Sequence, residues 1–295
     1  MSQHPLDALR PETVLDAVER IGIASDGRLF ALNSFENRVY LVGREGAPPL
    51  VAKFYRPGRL SDAEILEEHA FLDELAAEEL PVAAPIRDPE GRSLVEIAIA
   101  ARASSEDSSG NAAALYRVAL FPKLAGRAPE LESEEHLEWL GRLIARLHQV
   151  GARGHFKKRP VLSIERLGDA GLAATLAGPL LPDSLKPRFA SSVAHLLARV
   201  RDSFQAIGPL AKLRLHGDLH PGNVLWNDAG PAFVDFDDAC EGAPIQDLWM
   251  LLPGDDEGRQ RAIGALIEGY EVFRSFDWNS LALIEALRAL RLIHY

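Results

Sequence analysis

The chain has 295 residues, 47% of them hydrophobic and 25% charged, with a net charge of −11. That is the balance of a folded globular protein long enough for two lobes, not of a disordered chain. The acidic balance also argues against nucleic acid as a partner, because duplex binding is driven by phosphate neutralisation with clustered Lys and Arg.

A single cysteine, Cys240, leaves no intramolecular disulfide, and an inert thiol is favoured over a redox role. Met1-Ser2-Gln3-His4-Pro5 lacks a basic region followed by an apolar core, and no later run approaches the roughly 20 apolar residues of a membrane span. A monomeric, cytoplasmic protein with no membrane partner is expected.

Residues 13–23 place Val14, Ala17, Val18 and Ile21 on one side, with Gly22 just beyond, which predicts a short amphipathic helix on the outside of the first lobe. From Phe30 the pattern changes to alternation. Val39-Tyr40-Leu41-Val42 and Leu50-Val51-Ala52-Lys53-Phe54-Tyr55 read as two strands joined by a turn region over 43–49. Before them stands Asn33-Ser34-Phe35-Glu36-Asn37, at the entry to a hairpin, where a Gly-rich loop would be the usual cradle for phosphates. The sequence has no such loop. A Ser/Asn-rich turn can still aim backbone N–H groups and a hydroxyl at phosphate oxygens, while an ordinary polar hairpin turn accounts equally well for Glu36 and Asn37.

Lys53 within an apolar strand requires an anionic partner, because an unpaired ammonium there carries a large desolvation cost. Residues 61–75 read as the helix that supplies it, capped at Ser61 with Glu64 three positions on, a capping box. Of Glu64, Glu67 and Glu68, only Glu68 has Ile65, Phe71 and Leu72 as helical neighbours, so Glu68 is the expected partner. Two further strands, 93–100 and 116–121, flank a flexible loop, Ser104-Ser105-Glu106-Asp107-Ser108-Ser109-Gly110-Asn111. The chain then leaves through Pro122 and Gly126, and the expected division falls there, into a nucleotide-binding lobe, 1–122, and a helical catalytic and substrate lobe, 123–295.

Residues 134–150 form a strong helix from Leu137, Leu140, Ile144 and Leu147. His148 in its last turn is favoured by the helix dipole, so a structural role is expected rather than that of a base. The basic run 153–159 reads as a solvated loop, with a phosphate or substrate patch as the alternative. Helices are predicted at 191–204, 258–273 and 281–295, the last ending with neither Gly nor Pro.

Between these helices lies Leu215-His216-Gly217-Asp218-Leu219-His220-Pro221-Gly222-Asn223-Val224-Leu225-Trp226, followed by Phe233-Val234-Asp235-Phe236-Asp237-Asp238. Apolar, β-forming residues bracket a Gly/Pro turn, which holds the polar groups on a loop between buried elements. Asp218, then Asn223, then Asp235 on a short apolar strand is the arrangement of kinase-type phosphoryl transfer. The first carboxylate takes the hydroxyl proton, and the amide and second carboxylate hold Mg²⁺ on the ATP phosphates. An Asp and an Asn alone would read as turn chemistry; the preceding His216-Gly217 and the later Asp235 carry the assignment. Strand alternation sends Asp237 to the side of Asp235 as a reserve metal ligand and Asp238 away from it. His216 and His220 orient the loop, since Asp218 already fills the base position.

His216-Gly217-Asp218 with Asn223 and Asp235 resembles the loop of the aminoglycoside phosphotransferase and choline kinase superfamily. Within it, Leu32-Asn33-Ser34-Phe35-Glu36-Asn37-Arg38-Val39-Tyr40, Lys53-Phe54-Tyr55-Arg56-Pro57 and Gln246-Asp247-Leu248-Trp249-Met250-Leu251-Leu252 resemble the bacterial stress-response Ser/Thr protein kinases. The resemblance implies an α+β, two-lobed, protein-kinase-like fold with an antiparallel-sheet N-lobe and a mainly helical C-lobe. It further implies ATP as co-substrate and Mg²⁺ as cofactor. Asp218 and Asp235 would be catalytic, Asn223 and Asp235 would hold the metal, and Ser34, Lys53 and Glu68 would serve the ATP. Asp247 would brace the catalytic loop, a role compatible with that of an acid at a helix start. The implied acceptor is a protein Ser/Thr, the chain itself included. The resembled kinases run on past the position of Tyr295, so a chain continuing beyond it is expected. A small-molecule kinase for an aminoglycoside, choline or an amino sugar would use the same residues. An acidic cluster in the second lobe would favour it, and Glu130, Glu132, Glu134, Glu135 and Glu138 supply acids at a helix start. A non-catalytic nucleotide-binding scaffold has only the missing Gly-rich loop in its favour.

Overall fold

The alternating stretches 38–44 and 47–55 fold as strands because one side buries apolar groups, Val42, Leu50, Ala52 and Phe54 among them. The computed structural model describes residues 6, 9–34, 36–100, 113–253 and 256–294. In it, β1 (Ser25–Leu32), β2 (Arg38–Arg44), β3 (Ala47–Tyr55), β4 (Val95–Ala100) and β5 (Ala113–Pro122) form one antiparallel sheet in the order β1-β2-β3-β5-β4. The loop expected over Ser104 to Asn111 lies outside the described residues. The turn expected over 43–49 shrinks to two residues, Glu45 and Gly46, and Pro48 and Pro49 belong to β3. Prolines near a strand's start cost only the ladder bonds it does not need there.

The two faces of this sheet are covered by different helices. On one, Leu50, Ala52 and Phe54 of β3 meet Val14, Ala17 and Val18 of α1 (Pro11–Arg20) in a shared apolar core. The amphipathic helix expected on the outside of the lobe lies over one face of the sheet, with Val14, Ala17 and Val18 buried and Glu12, Asp16 and Glu19 exposed. The opposite side chains of β3 include Lys53 and Tyr55, and they meet α2 (Asp62–Ala77) through Glu68 and His69. Ser61 caps α2 with both halves of the capping box in place.

The chain divides into two compact units, Met1–Ala125 and Gly126–Tyr295. The second is mainly helical: α3 (Glu134–Gly151), α4 (Ala170–Ala177), α5 (Lys186–Ile207), α6 (Gln246–Trp249), α7 (Asp256–Glu271) and α8 (Ile284–His294). A single π-helical turn, Glu165–Asp169, leads into α4. α5 starts earlier than its apolar period suggests, because Pro187 fits a first helical turn, where no N–H is needed. Two small antiparallel pairs, β6 (Leu213–Leu215) with β9 (Cys240–Gly242) and β7 (Val224–Asn227) with β8 (Gly230–Phe233), hold the central loops. α3 and α7 pack backbone to backbone: a Cβ at Gly141 would strike the carbonyl of Leu266, and one at Gly269 that of Glu138. This is the α+β architecture that the sequence implied. Among the described residues, no helix is long and apolar enough to cross a membrane.

Candidate active site

In the first unit, the register Val39↔Lys53↔Ala119 sets Lys53 at the centre of the sheet, buried, with its Nζ 4.0 Å from Glu68 Oε1. That is the outer limit of an ion pair. Aromatic faces complete the surroundings, with the Tyr55 and Phe121 ring centroids 5.4 and 6.0 Å from Nζ. Glu68 is held on its helix beside His69, which bonds Tyr55 Oη at 3.0 Å and Ser93 Oγ at 2.8 Å. Glu64 serves the cap instead, its carboxylate accepting from the Ser61 N–H at 2.7 Å. Ser34 turns inward on its own loop and donates to the Asn37 carbonyl at 2.8 Å. Asn37 is buried and accepts from the Arg56 N–H at 2.9 Å, while Glu36 pairs with Arg56 at 2.8 Å. Those bonds tie the turn to the end of β3.

A paired Lys53 and Glu68 should behave as one unit. Glu68→Gln is expected to lower turnover much as Lys53→Met does, and the double variant to cost far less than the sum of the two. Glu64→Gln and Glu67→Gln should leave turnover near wild type. Additive losses in steady-state kinetics, or a larger effect at Glu64, would break the pairing.

The second unit carries the His-Gly-Asp loop, and its shape is set by one buried carboxylate. Asp247 Oδ2 accepts from the His216 N–H at 2.9 Å, and Oδ1 accepts from the Gly217 N–H at 2.8 Å. His148 Nε2 lies 3.1 Å from the same carboxylate, and its Nδ1 lies 2.8 Å from Tyr270 Oη. Burial alone would raise the Asp247 carboxyl, but the His148 hydrogen bond, the charges of His148 and His216 and the Gly217 N–H hold it below the usual carboxylate value. An ionised carboxylate only accepts, so His148 Nε2 donates to it, and the ring's Nδ1 pairs with the Tyr270 hydroxyl. The close packing of α3 on α7 brings this histidine to Tyr270. The helix dipole thus gives a lesser account of His148 than a buried hydrogen-bond chain.

Gly217 has φ +86°, and a Cβ there would run into the carbonyl of Asp238. Its own carbonyl accepts from Gln246 Nε2 at 2.8 Å. Gly217→Ala is therefore expected to destabilise the protein by about 1–3 kcal/mol, the usual range for a residue forced into this backbone region. Urea unfolding would read it, and a wild-type midpoint would mean that the loop is not held as described.

Beyond Gly217, His216 Nε2 bonds the Val234 carbonyl at 2.9 Å and His220 Nδ1 accepts from the Gly222 N–H at 3.0 Å, so both histidines shape the loop. Asn223 is buried; its Nδ2 donates to the Asp218 carbonyl at 2.9 Å, and its own carbonyl accepts from the Val234 N–H at 3.0 Å. The β7–β8 register places Val224 opposite Phe233 and so sets Asn223 and Asp235 on neighbouring segments.

Asp235 departs from the sequence reading. β8 ends at Phe233, and Asp235 stands outside it in the left-handed region, φ +63° and ψ +69°, followed by a 3-10 turn, Phe236–Asp238. Strand alternation therefore fails to order Asp237 and Asp238: Asp237 is buried and Asp238 half-buried within the turn. An aspartate tolerates the left-handed region better than most residues, and strain of this kind gathers at functional turns. Arg159 departs from the solvated-loop reading, which holds for the exposed Arg153, Lys157 and Lys158 of the same run. Arg159 is buried, and its guanidinium donates to the carbonyls of Ala239, Asp237 and Phe236 around that turn.

Among the described residues, no group of three or more His, Cys, Asp and Glu could hold a metal. One amide oxygen, of Asn223, and one carboxylate, of Asp235, nevertheless suit Mg²⁺, which takes few protein ligands and completes its shell with water and phosphate. Cys240 is buried, and burial, followed by the nearby Asp247 charge, pushes its thiol up to about 12. It is the inert thiol expected.

Sequence reasoning missed Gln246, Tyr270 and Arg291 as parts of the site. Arg291 on α8 donates to Asp218 Oδ1 and lies 2.9 Å from Met250 Sδ. Gln246 stands in a string quoted above without a role of its own, while nothing local marks Tyr270 and Arg291, which only the fold brings to the loop.

A five-stranded antiparallel sheet carrying a buried Lys–Glu pair, and a helical unit whose His-Gly-Asp loop is braced by a buried aspartate, together define a kinase-like phosphotransferase fold. Residues 29–284 match the model of the phosphotransferase enzyme family, and the chain belongs to that family. It is 41% identical over 295 residues to stress response kinase A of Salmonella choleraesuis (strain SC-B67), covering 97% of this chain and 81% of that protein. The same figures hold for a serine/threonine protein kinase of Salmonella typhimurium. Among solved structures, an amicoumacin kinase in complex with AMP-PNP and Ca²⁺ is similar with a TM-score of 0.77 at 19% identity, over 99% of this chain and 86% of that one. A spectinomycin phosphotransferase in complex with ADP is similar with a TM-score of 0.64 at 14% identity, over 96% and 85%.

Proposed function

We propose that this chain transfers the γ-phosphoryl group of ATP, with Mg²⁺, to a Ser or Thr hydroxyl of a protein, as a cytoplasmic kinase of the stress response. The observation that carries this reading is similarity along nearly the whole chain to relatives named as stress-response and Ser/Thr protein kinases. The small-molecule kinases among the solved structures share the fold at 20% identity or less.

In this reading Asp218 accepts the hydrogen bond of the acceptor hydroxyl and then its proton. The hydroxyl oxygen forms the new bond to the γ-phosphorus, and the bond to the β–γ bridging oxygen breaks as ADP leaves. Asn223 and Asp235 would hold Mg²⁺, which when bound neutralises charge on the phosphate oxygens. Lys53, steadied by Glu68, contacts the phosphates as a point charge. Ser34 covers them through the backbone N–H groups of its turn, in place of a Gly-rich loop, while its hydroxyl holds the Asn37 carbonyl. His148, Gln246 and Asp247 keep the loop in one shape, so that Asp218 is set before the substrate arrives.

The test is incubation with labelled ATP and Mg²⁺, with a generic protein acceptor and with a panel of amino alcohols and aminoglycosides. Label on protein, abolished by chelation of the metal, is the expected result. Label on an amino alcohol or aminoglycoside alone would overturn the protein acceptor.

A further inference from the structure

A pocket opens beside Asp218 within the second unit. Leu162, Leu167 and Leu287 form part of its apolar wall, and Arg166, Asp238 and Arg291 are among its charged groups. The side chain of Arg291 is 32% exposed and that of Asp218 15% exposed, so their ion pair faces the pocket from a half-covered position. Asp218 Oδ1 accepts from Arg291, and Asp218 Oδ2 lies 3.6 Å from His220 Nε2. Both oxygens of the carboxylate thus face a partner. A carboxylate oxygen whose lone pair is taken by a guanidinium has less to offer an incoming hydroxyl. Drawing Arg291 toward another anion would free that oxygen for the acceptor hydroxyl.

We infer that the acceptor brings that anion: Arg291 is a positioning and specificity-determining residue that takes a carboxylate or phosphoryl group flanking the acceptor hydroxyl and thereby releases Asp218. This rests on the protein-acceptor reading above and names its substrate class, a Ser or Thr beside an acidic or phosphorylated residue. The planar guanidinium suits either anion, because its forked donors can grip two oxygens at once. Arg166, exposed on the π-helical turn and lining the same pocket, adds a second positive charge. Asp238 has the opposite sign and disfavours a second anion, so the pocket takes one negative group, at Arg291. A cationic acceptor such as an aminoglycoside would be repelled by the guanidinium that an acidic one engages.

The experiment uses the intact protein with ATP, Mg²⁺ and peptides of one scaffold whose single acceptor Ser is flanked by Asp, phosphoserine, Asn or Lys, with choline and an aminoglycoside as further acceptors. kcat and KM are read separately for wild type, Arg291→Gln, Arg291→Lys and Arg166→Gln. Wild type is expected to prefer the Asp or phosphoserine peptide over the Asn peptide by about tenfold or more in kcat/KM, the worth of one charge-assisted hydrogen bond. Arg291→Gln should erase that preference in two ways: KM for the anionic peptide rises, and kcat on the Asn peptide rises because Asp218 is no longer held. Arg166→Gln should weaken the preference without raising kcat on the Asn peptide. The Asp and phosphoserine arms separate a carboxylate from a phosphoryl group as the anion taken. Should Arg291→Gln melt early, Arg291→Lys keeps the charge without the fork and is expected to show a reduced preference. Equal kcat/KM for the Asp and Asn peptides in wild type, or a uniform loss of kcat on every peptide in a folded Arg291 variant, overturns the inference and leaves the protein-kinase reading standing. Label on choline or the aminoglycoside and on no peptide sinks that reading, and the inference with it.

Discussion

Asp218→Asn is expected to lower turnover by about 10²–10⁴ while nucleotide affinity stays near wild type, the usual worth of a positioned base. Asparagine keeps the size of the side chain and an oxygen that can orient a hydroxyl, but it has no carboxylate to take the proton. The groups proposed to serve ATP and the metal, Lys53, Asn223 and Asp235, remain in place. The Asp218 backbone carbonyl still accepts from Asn223 Nδ2, so the loop keeps its internal bond. Calorimetric ATP binding with parallel steady-state kinetics separates the two quantities. Lost ATP affinity at unchanged turnover would remove Asp218 from the base role.

The second large effect is expected at Asp247. Asp247→Ala leaves the N–H groups of His216 and Gly217 and the ring of His148 without their acceptor at a fully buried position. Breaking a buried charged network by removing one partner costs about 3–5 kcal/mol, so a large fall in the urea midpoint should accompany loss of activity. The pH dependence supplies a second reading. Burial by itself raises this carboxyl, but the His148 hydrogen bond and the other groups around it win, and it is held low in the folded protein. A carboxyl with a depressed folded pKa adds stability that is fully present above its unfolded value, about 3.9, and is lost as the pH falls through the folded value. The acid limb of wild-type stability should therefore be steeper below about pH 4 than that of Asp247→Asn. Superimposable acid limbs would mean that Asp247 carries no such linkage.

Local chemistry made most of the scaffold legible. The capping box at Ser61, the apolar periods of α2 and α3 and the alternation in β2 and β3 are properties of neighbouring residues, and they survive into the structure. The stretch from 160 to 185 shows no clear period and hides a π-helical turn and a short helix. Pro48 and Pro49 read as a turn because proline avoids central ladders, yet they sit at the start of β3. The apolar neighbours of Asp235 predict a strand there, and only the left-handed backbone after β8 shows that alternation has already ended. Within the site, the sequence could suggest which acids and amides stand on the loop. It also marked some of what holds them, Asp247 by resemblance and His216 and His220 by place, and the structure keeps those bonds; His148, Arg159 and Arg291 reach the loop through tertiary contacts that leave no trace in local spacing.

The chain of bonds from Tyr270 through His148 and Asp247 to the His216 and Gly217 amides also fixes an order of events during synthesis. The ribosome releases the catalytic loop before α6 and well before α7, and chains emerge at only about 5–20 residues per second. Until Asp247 is out, the loop's two N–H groups have only water to bond. Until Tyr270 is out, His148 lacks its phenolic partner, and Arg291 reaches Asp218 later still. A nascent chain can thus hold a complete sheet with Lys53 and Glu68 already paired while its catalytic loop is still unformed. Catalytic competence would then arrive with α7 and α8 rather than with the sheet.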